Sequence, residues 1–398
     1  MPDAKLDTDA MKQRVQEAID GVSEDLRALS LDIHEHPELN YEEVHAHQVL
    51  TDYLEQQGFD VERGAYGMET AFVARAGSGD PTLAVLSEYD ALPGIGHACG
   101  HNLIAISGVA SGLALKEALG EGNGTIVILG SPAEEGGGGK VEMIKAGAFD
   151  AIDAALMLHP APGDGAWVNM NAIQPLAVEF FGRNAHAAAT PWQGLNALDA
   201  FVHAYNGISL LRQQMTLDSR VHGVITSGGE KPNIIPDYTA AEFYVRAKND
   251  EVLAELKQRV LACFEAAALA TGCRLEYEWI GHAYRNLTTN DAMAEAYVDN
   301  MRDLGKSLPT KQQSLAFGGA STDMGNVSHV VPSIHPMFGI KTGEGNHTPA
   351  FTGAAATPEA HVETVIASKA LAMTAVDLFA DPALLEQAKQ EFDEAHRD

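Results

Sequence analysis

Cys99 and His101 in HACGH, the adjacent Glu134 and Glu135, His159 and His347 are the residues whose types and spacing could do chemistry together. Each follows a short apolar run. TLAVLS precedes Glu88, Tyr89, Asp90 and HACGH, TIVILG precedes the glutamate pair, AALML precedes His159, and an apolar segment at 333–340 precedes His347. In an open α/β sheet, functional groups gather in the crevice beyond the carboxyl ends of the strands. A thiolate, imidazoles and carboxylates on one rim are the ligands of a zinc-like divalent ion. The five candidates Cys99, His101, Glu135, His159 and His347 point to two ions sharing a bridge rather than one tetrahedral ion. The thiolate favours zinc, while carboxylates and imidazoles also accept manganese or cobalt. Adjacent glutamates on a tight turn point in different directions. Glu135 is therefore read as a ligand and Glu134 as a general base that takes a proton from metal-activated water and returns it to a leaving amine.

Taken singly, each residue has a plainer reading: a solvated turn for the glutamates, a satisfied loop histidine, a small buried thiol. Their joint placement at strand ends outweighs it. Cys99 and His101 are not read as nucleophile and base, because residues two apart in a loop seldom face each other. GGGGK (136–140) fails as a phosphate loop, since Glu134 stands where its first glycine belongs and Val141 replaces the metal-binding hydroxyl. His34, His36, His45 and His47 lie near the helical N-terminal region and are read as surface or packing residues.

The elements that position these groups follow from periodicity. Met11, Val15, Ile19, Val22, Leu26, Leu29 and Ile33 form one stripe of an amphipathic helix closed by Pro37, and a second helix runs from about 42 to 57. Strands at 82–87, 125–130 and 154–158 alternate with helices at 102–119 and 141–146, which gives an α/β fold with a largely parallel sheet flanked by helices. From 174 to 286 the order becomes β-α-β-β-α-β, a ferredoxin-like split unit. The α/β pattern then resumes, with a helix at 291–304 and a last one capped by Thr357 and led by Pro358. The expected domains are a discontinuous catalytic domain, residues 1–173 and 287–398, and an inserted α+β lid, residues 174–286.

With 398 residues the chain is long enough for two domains, and 45% hydrophobic against 20% charged residues is ordinary globular usage. Lys and Arg total 26 against 55 Asp and Glu, a net charge of −29, which repels phosphate backbones and anionic lipid. Nucleic acid and membrane are excluded as expected partners. No apolar run approaches the roughly 20 residues that span a bilayer, and the N-terminus lacks a basic region followed by an apolar stretch. The expectation is a cytoplasmic protein. Its three cysteines form no disulfide framework, and Cys263 and Cys273 read as core thiols.

DALPG (90–94), HACGHN (97–102), PAEEGGGGK (132–140), GRNAHAAATPWQGLNAL (182–198) and GNHTPAF (345–351) together resemble the aminoacylase and hippurate hydrolase metallopeptidases of the M20 family. The resemblance extends over nearly the whole chain, from HPELNYEE (36–43) to GNHTPAF. It implies a catalytic domain with two divalent metals and an inserted lid that pairs with a second lid to form a homodimer. Cys99, His101, Glu135, His159 and His347 match the family's metal positions, and Glu134 matches its base. His186 matches a lid histidine that stabilises the tetrahedral oxyanion, in cis or across the dimer interface. Asn233 in PNIIPD and Arg246 in FYVRA resemble lid positions that bind a substrate carboxylate. Asn102 in place of a common Asp, and Glu88-Tyr89-Asp90 in place of Asp-Met-Asp, depart from the hippurate and auxin-conjugate pattern. They make the chain more similar to p-aminobenzoyl-glutamate hydrolase large subunits and to dipeptidases acting on β-alanyl, lysyl or ornithyl dipeptides. The expected function is a metal-dependent amidohydrolase cleaving N-acyl amino acids, p-aminobenzoyl-glutamate-like conjugates or small dipeptides. The alternatives are a non-catalytic conjugate-binding member of the fold and an aminopeptidase acting on longer peptides.

Overall fold

A computed structural model describes residues 7–120, 122–316 and 318–397. The Asp7 carboxylate accepts the Ala10 N–H at 3.2 Å and starts α1 (Thr8–Glu35), whose predicted stripe is buried at Met11, Val15, Ile19, Leu26 and Ile33. The helix stops just before Pro37, because a proline drives the residue ahead of it out of the helical region. Helix α2 (Val44–Gln56) ends before Gly58, which adopts φ 77°.

The first sheet contains β1 (Asp60–Arg63), β2 (Phe72–Ser78), β3 (Thr82–Glu88), β4 (Gly124–Ser131) and β5 (Ala154–Leu156), in the order β1-β2-β4-β3-β5, with Ser333–Ile334 beside β5. From β4 to Ser333–Ile334 the pairs are parallel, while β1 and β2 pair antiparallel. The sequence reading missed β1 and β2: β1 reads DVER and is mostly exposed, and β2 is apolar only at its start, so neither carries a buried-strand signal.

Helix α3 (His101–Leu119) follows β3, and α4 (Gly139–Lys145) follows β4. Among the described residues α3 is the one helix long and apolar enough to cross a bilayer by composition. It is apolar all round because it is covered all round, by β3, β4, α1 and the helix Pro358–Ala380. Two short strands come next, β6 (His159–Ala161), parallel to Met337–Gly339, and β7 (Asn169–Met170).

The chain divides into two compact units. One comprises the residues up to Asn169, Leu287–Gly318 and the chain from Thr322 onward; the other comprises Met170–Asn286 and Gly319–Ser321. The second unit starts before residue 174 and takes back Gly319–Ser321, because the Asn171 N–H donates to the Ala320 carbonyl at 2.7 Å and Arg246 Nη1 donates to Ser321 Oγ at 2.9 Å. Its elements are β8 (Ala172–Phe181), α5 (Ala197–Leu211), β9 (Arg220–Ser227), β10 (Tyr238–Ala247), α6 (Asp250–Thr271) and β11 (Arg274–Trp279). The sheet order is β11-β8-β10-β9, antiparallel throughout. Alternate residues of β10 (Thr239, Ala241, Phe243, Val245, Ala247) are buried, and Phe180, Phe201, Phe243 and Phe264 cluster with ring centroids 5.4 to 6.3 Å apart. Each buried ring removes enough apolar surface from water to contribute about 1.5–3 kcal/mol.

Candidate metal centre

The first unit brings the strand-end residues to one place. Gly100 turns the HACGH loop into α3 at φ 77°; a Cβ there would stand 2.6 Å from Pro160 Cγ, so only glycine lets the loop lie against β6. After β4 the chain passes through Ala133 at φ 59°, and the N–H groups of Gly137, Gly138 and Gly139 converge on the Ala133 carbonyl. At Gly139 an added Cβ would lie 1.9 Å from the Pro132 carbonyl oxygen. The glycine run thus closes a tight turn that presents Glu134 and Glu135. Glu43 holds the turn from outside: its carboxylate accepts the Ala133 N–H and the Tyr41 N–H, each at 2.9 Å, and the Thr70 hydroxyl at 2.8 Å. Burial, reinforced by Asp90, pushes Glu43 up to about 7. His347 arrives from the far end of the chain and is tied to the HACGH loop by its N–H, which donates to the Ala98 carbonyl at 2.8 Å.

Two triads share the thiol. One ligand atom from each of Cys99, His101 and His159 lies within 4.8 Å of the others, and so does one from each of Cys99, Glu135 and His347. Cys99 Sγ is 3.5 Å from His159 Nε2, and Glu135 Oε1 is 3.4 Å from His347 Nε2 and 3.8 Å from His101 Nε2. The histidines are turned for ligation. His101 Nδ1 donates to Asp90 Oδ1 at 3.0 Å and His159 Nδ1 donates to the Pro160 carbonyl at 2.7 Å, which leaves each Nε2 lone pair toward the cluster. Asp90 Oδ2 also accepts the Glu135 N–H at 2.9 Å, so one carboxylate orients two candidate ligands.

The electrostatics state what the cluster lacks. Glu88 and Asp323 hold the buried Lys140, whose Nζ donates to Asp323 Oδ1 at 2.7 Å and to Glu88 Oε2, while its N–H donates to Asp323 Oδ2 at 3.0 Å; Asp90 and Glu134 also feel its charge. Burial works against the Lys140 charge, but Asp323 and Glu88 outweigh it and raise its pKa. Burial, with Glu135, pushes the Cys99 thiol up; burial, with Glu88 and Glu135, pushes Glu134 up. Burial and the His335 and His101 rings push His159 down. Buried Glu88 Oε1 lies 3.1 Å from His101 Nε2, and Glu88 and Asp90 outweigh burial to raise the pKa of His101, while Glu135 Oε1 makes no hydrogen bond. Excess buried negative charge and a thiol that needs a cation to ionise are what divalent metals would satisfy. The residues present fit them.

His186, Asn233 and Arg246 lie in the second unit. The main chain pairs the neighbours of the first two, with the Ala187 N–H donating to the Asn233 carbonyl at 3.0 Å. His186 is exposed, and its Nδ1 accepts the N–H groups of Ala188 and Ala189, each at 3.2 Å, so its proton sits on Nε2. Arg246 lies on β10 with its guanidinium over the Tyr244 ring. Sequence reasoning missed five residues of the first unit. Glu88 and Asp90 were noted without a role, Lys140 was weighed only as part of a phosphate loop, and Asp323 was not noticed. His335, buried beside His159 with ring centroids 5.5 Å apart and lowered by burial to about 3, directly follows Ile334, and the strand-end rule applied there would have found it.

The sequence profile of peptidase family M20/M25/M40 matches residues 84–368. The chain is 44% identical over 407 aligned positions to the Xaa-Arg dipeptidase of Homo sapiens, covering 98% of this chain and 93% of that one. It is 30% identical to a p-aminobenzoyl-glutamate hydrolase chain of Escherichia coli, covering 95% of this chain and 94% of the relative. Among solved structures, a dinuclear metal binding peptidase of the M20 family from Bacillus subtilis superposes with a TM-score of 0.71 at 21% identity, covering 90% of this chain and 99% of the other. A profile match across most of the chain, with relatives of this identity aligned nearly end to end, identifies the chain as a member of peptidase family M20, a hydrolase of peptide and amide bonds.

Proposed function

We propose that the protein is a dimetal dipeptidase that cleaves dipeptides with a basic C-terminal residue. The observation that carries the chemistry is the pair of ligand triads sharing Cys99, next to the Glu134 turn. Cys99, His101, Glu135, His159 and His347 would hold two divalent cations, zinc being favoured by the thiolate, and these supply Lewis acidity for the amide carbonyl and for water when bound. Glu134 takes the proton of the attacking water and passes it to the leaving nitrogen. Nε2–H of His186 is the donor offered to the carbonyl oxygen as it gains charge. Arg246 and Asn233 take the substrate's terminal carboxylate, a group that a guanidinium fork matches. The preference for a basic residue rests on the 44% identity to the Xaa-Arg dipeptidase, and the net charge of −29 draws cationic substrates. The three thiols, all free, fit a reducing compartment, and we place the protein in the cytoplasm.

Metal analysis and amine release test this together. The purified protein should carry about two divalent ions per chain and release arginine, lysine or ornithine from dipeptides faster than it cleaves N-acyl amino acids or p-aminobenzoyl-glutamate. Chelation should abolish turnover, and Cys99→Ser should lower the metal content, because a hydroxyl is a poor substitute for thiolate. Equal or faster cleavage of tripeptides would replace the dipeptidase with an aminopeptidase, and no turnover on any of these with metal added would leave a conjugate-binding protein.

We also propose a homodimer formed through the second unit. Strand β9 is an edge of the four-stranded sheet and exposes Val224 and Ile225, while α5 exposes Val202, Tyr205 and Leu210. An apolar edge left open invites pairing with another chain. Sedimentation equilibrium should give twice the chain mass for wild type and the single chain mass for Val224→Lys. A wild-type monomer would overturn the dimer.

A further inference from the structure

Outside the cluster around Cys99, the first unit carries a second group of metal-ligand side chains where α1 hands over to α2. One ligand atom from each of Asp32, His36 and His45 lies within 4.8 Å of the others. Asp32 is on the last turn of α1, His36 caps that helix, and His45 is the second residue of α2. The two carboxylate oxygens are divided between the rings: Oδ1 is 3.2 Å from His36 Nδ1 and Oδ2 is 3.0 Å from His45 Nε2. His36 Nδ1 also lies 2.8 Å from the Asp32 carbonyl oxygen, and a proton donated there leaves the Nε2 lone pair for a ligand. The ring centroids of His36 and His45 are 4.5 Å apart. Neither helix end is loose. Glu38 accepts the His45 N–H at 2.8 Å and the Ala46 N–H at 3.0 Å, which fixes the first turn of α2, and its carbonyl accepts the Ala91 N–H at 2.8 Å. All three side chains are partly open to solvent, with side-chain exposures of 39% for Asp32, 54% for His36 and 35% for His45. An ion can therefore reach them and keep water in its remaining positions.

We propose that Asp32, His36 and His45 form a separate surface site for a divalent transition-metal ion. Two imidazoles and one carboxylate are borderline ligands that suit zinc, cobalt or nickel rather than magnesium or calcium. With a single carboxylate, no thiolate and open solvent, the site binds more weakly than the Cys99 cluster and fills after it. Its position gives it a mechanical role. The ion joins the end of α1 to the start of α2, and the loop it spans carries Tyr41, whose hydroxyl donates to the Gly137 carbonyl at 2.8 Å, and Glu43, which accepts the Ala133 N–H. Metal bound at the helix junction stiffens the support of the Glu134 turn.

Cobalt distinguishes this site from the one that contains a thiol. Cobalt bound beside Cys99 gives a near-ultraviolet thiolate-to-metal charge-transfer band, whereas a His-His-Asp site adds visible d–d absorption without it. Titrated with cobalt, the wild-type chain should bind one more ion than His45→Ala or His36→Ala. That last ion should deepen the visible bands while leaving the charge-transfer band unchanged, and the variants should keep the charge-transfer band. In hydrogen exchange, it should slow the amides of residues 36–46 in wild type and not in the variants. Equal stoichiometry in wild type and both variants would overturn the site, and an extra ion without added protection would overturn its clamping role. Absence of the charge-transfer band would instead count against the Cys99 cluster.

Discussion

Glu134→Gln should reduce kcat by about 10²–10⁴-fold, the range of general acid–base catalysis, while metal content stays as in wild type. The amide keeps the shape of the carboxylate but cannot take a proton from water or return one to the leaving amine. Stability should move in the opposite direction. Burial, with Glu88 and Glu135, raises the pKa of Glu134 in the folded chain, so its ionised form opposes folding at every pH above the ordinary carboxylate value. Glutamine removes that cost, and the metal-free variant should unfold at a higher denaturant concentration than wild type at neutral pH. Steady-state kinetics at saturating dipeptide, with elemental analysis of the same sample, gives the answer. Turnover within a few-fold of wild type would exclude Glu134 as the base.

Lys140→Met should be strongly destabilising. Lys140 is fully buried with Glu88 and Asp323 on its ammonium, and removing one partner of a buried ion pair costs about 3–5 kcal/mol because the remaining charge stays in the interior. The folded-state pKa of Lys140 is raised, so its contribution is complete below the ordinary lysine value and is lost only as pH climbs through the raised one. The loss should therefore be undiminished at neutral pH. Adding Glu88→Gln to Lys140→Met should recover part of it by removing one orphaned carboxylate. Denaturant unfolding of the metal-free chains compares the three, and a midpoint for Lys140→Met equal to wild type would mean the ammonium does not hold these carboxylates.

The centre was legible in sequence where local patterns reach it. TLAVLS, TIVILG and AALML are short, apolar and bounded by turn residues, so the strand ends and the residues beyond them could be read off: Cys99, His101, Glu134, Glu135 and His159. The second unit was legible because its helices and strands change period cleanly. Lys140 and Asp323 were not. They meet across 183 positions, and neither leaves a periodic trace; a lysine after four glycines looks like a loop residue until the helix it begins is seen to point inward. Strands β1 and β2 were hidden for a related reason, since an exposed, charged edge strand has the composition of a loop. The Asp32, His36 and His45 group was visible as a histidine-rich stretch, but only the turn between α1 and α2 folds those side chains onto one another.

The division of the first unit around a nearly continuous insert has a consequence for biosynthesis. Chains emerge from the ribosome N-terminus first, and compact units fold as units. The four-stranded sheet of the insert is complete once Trp279 has been made, whereas the sheet beneath Cys99 still lacks Ser333–Ile334, and His347 comes later still. During translation the inner unit is finished while the outer one waits for its last strand. Until residue 347 has been made, the growing chain therefore lacks one member of the cluster of Cys99, Glu135 and His347.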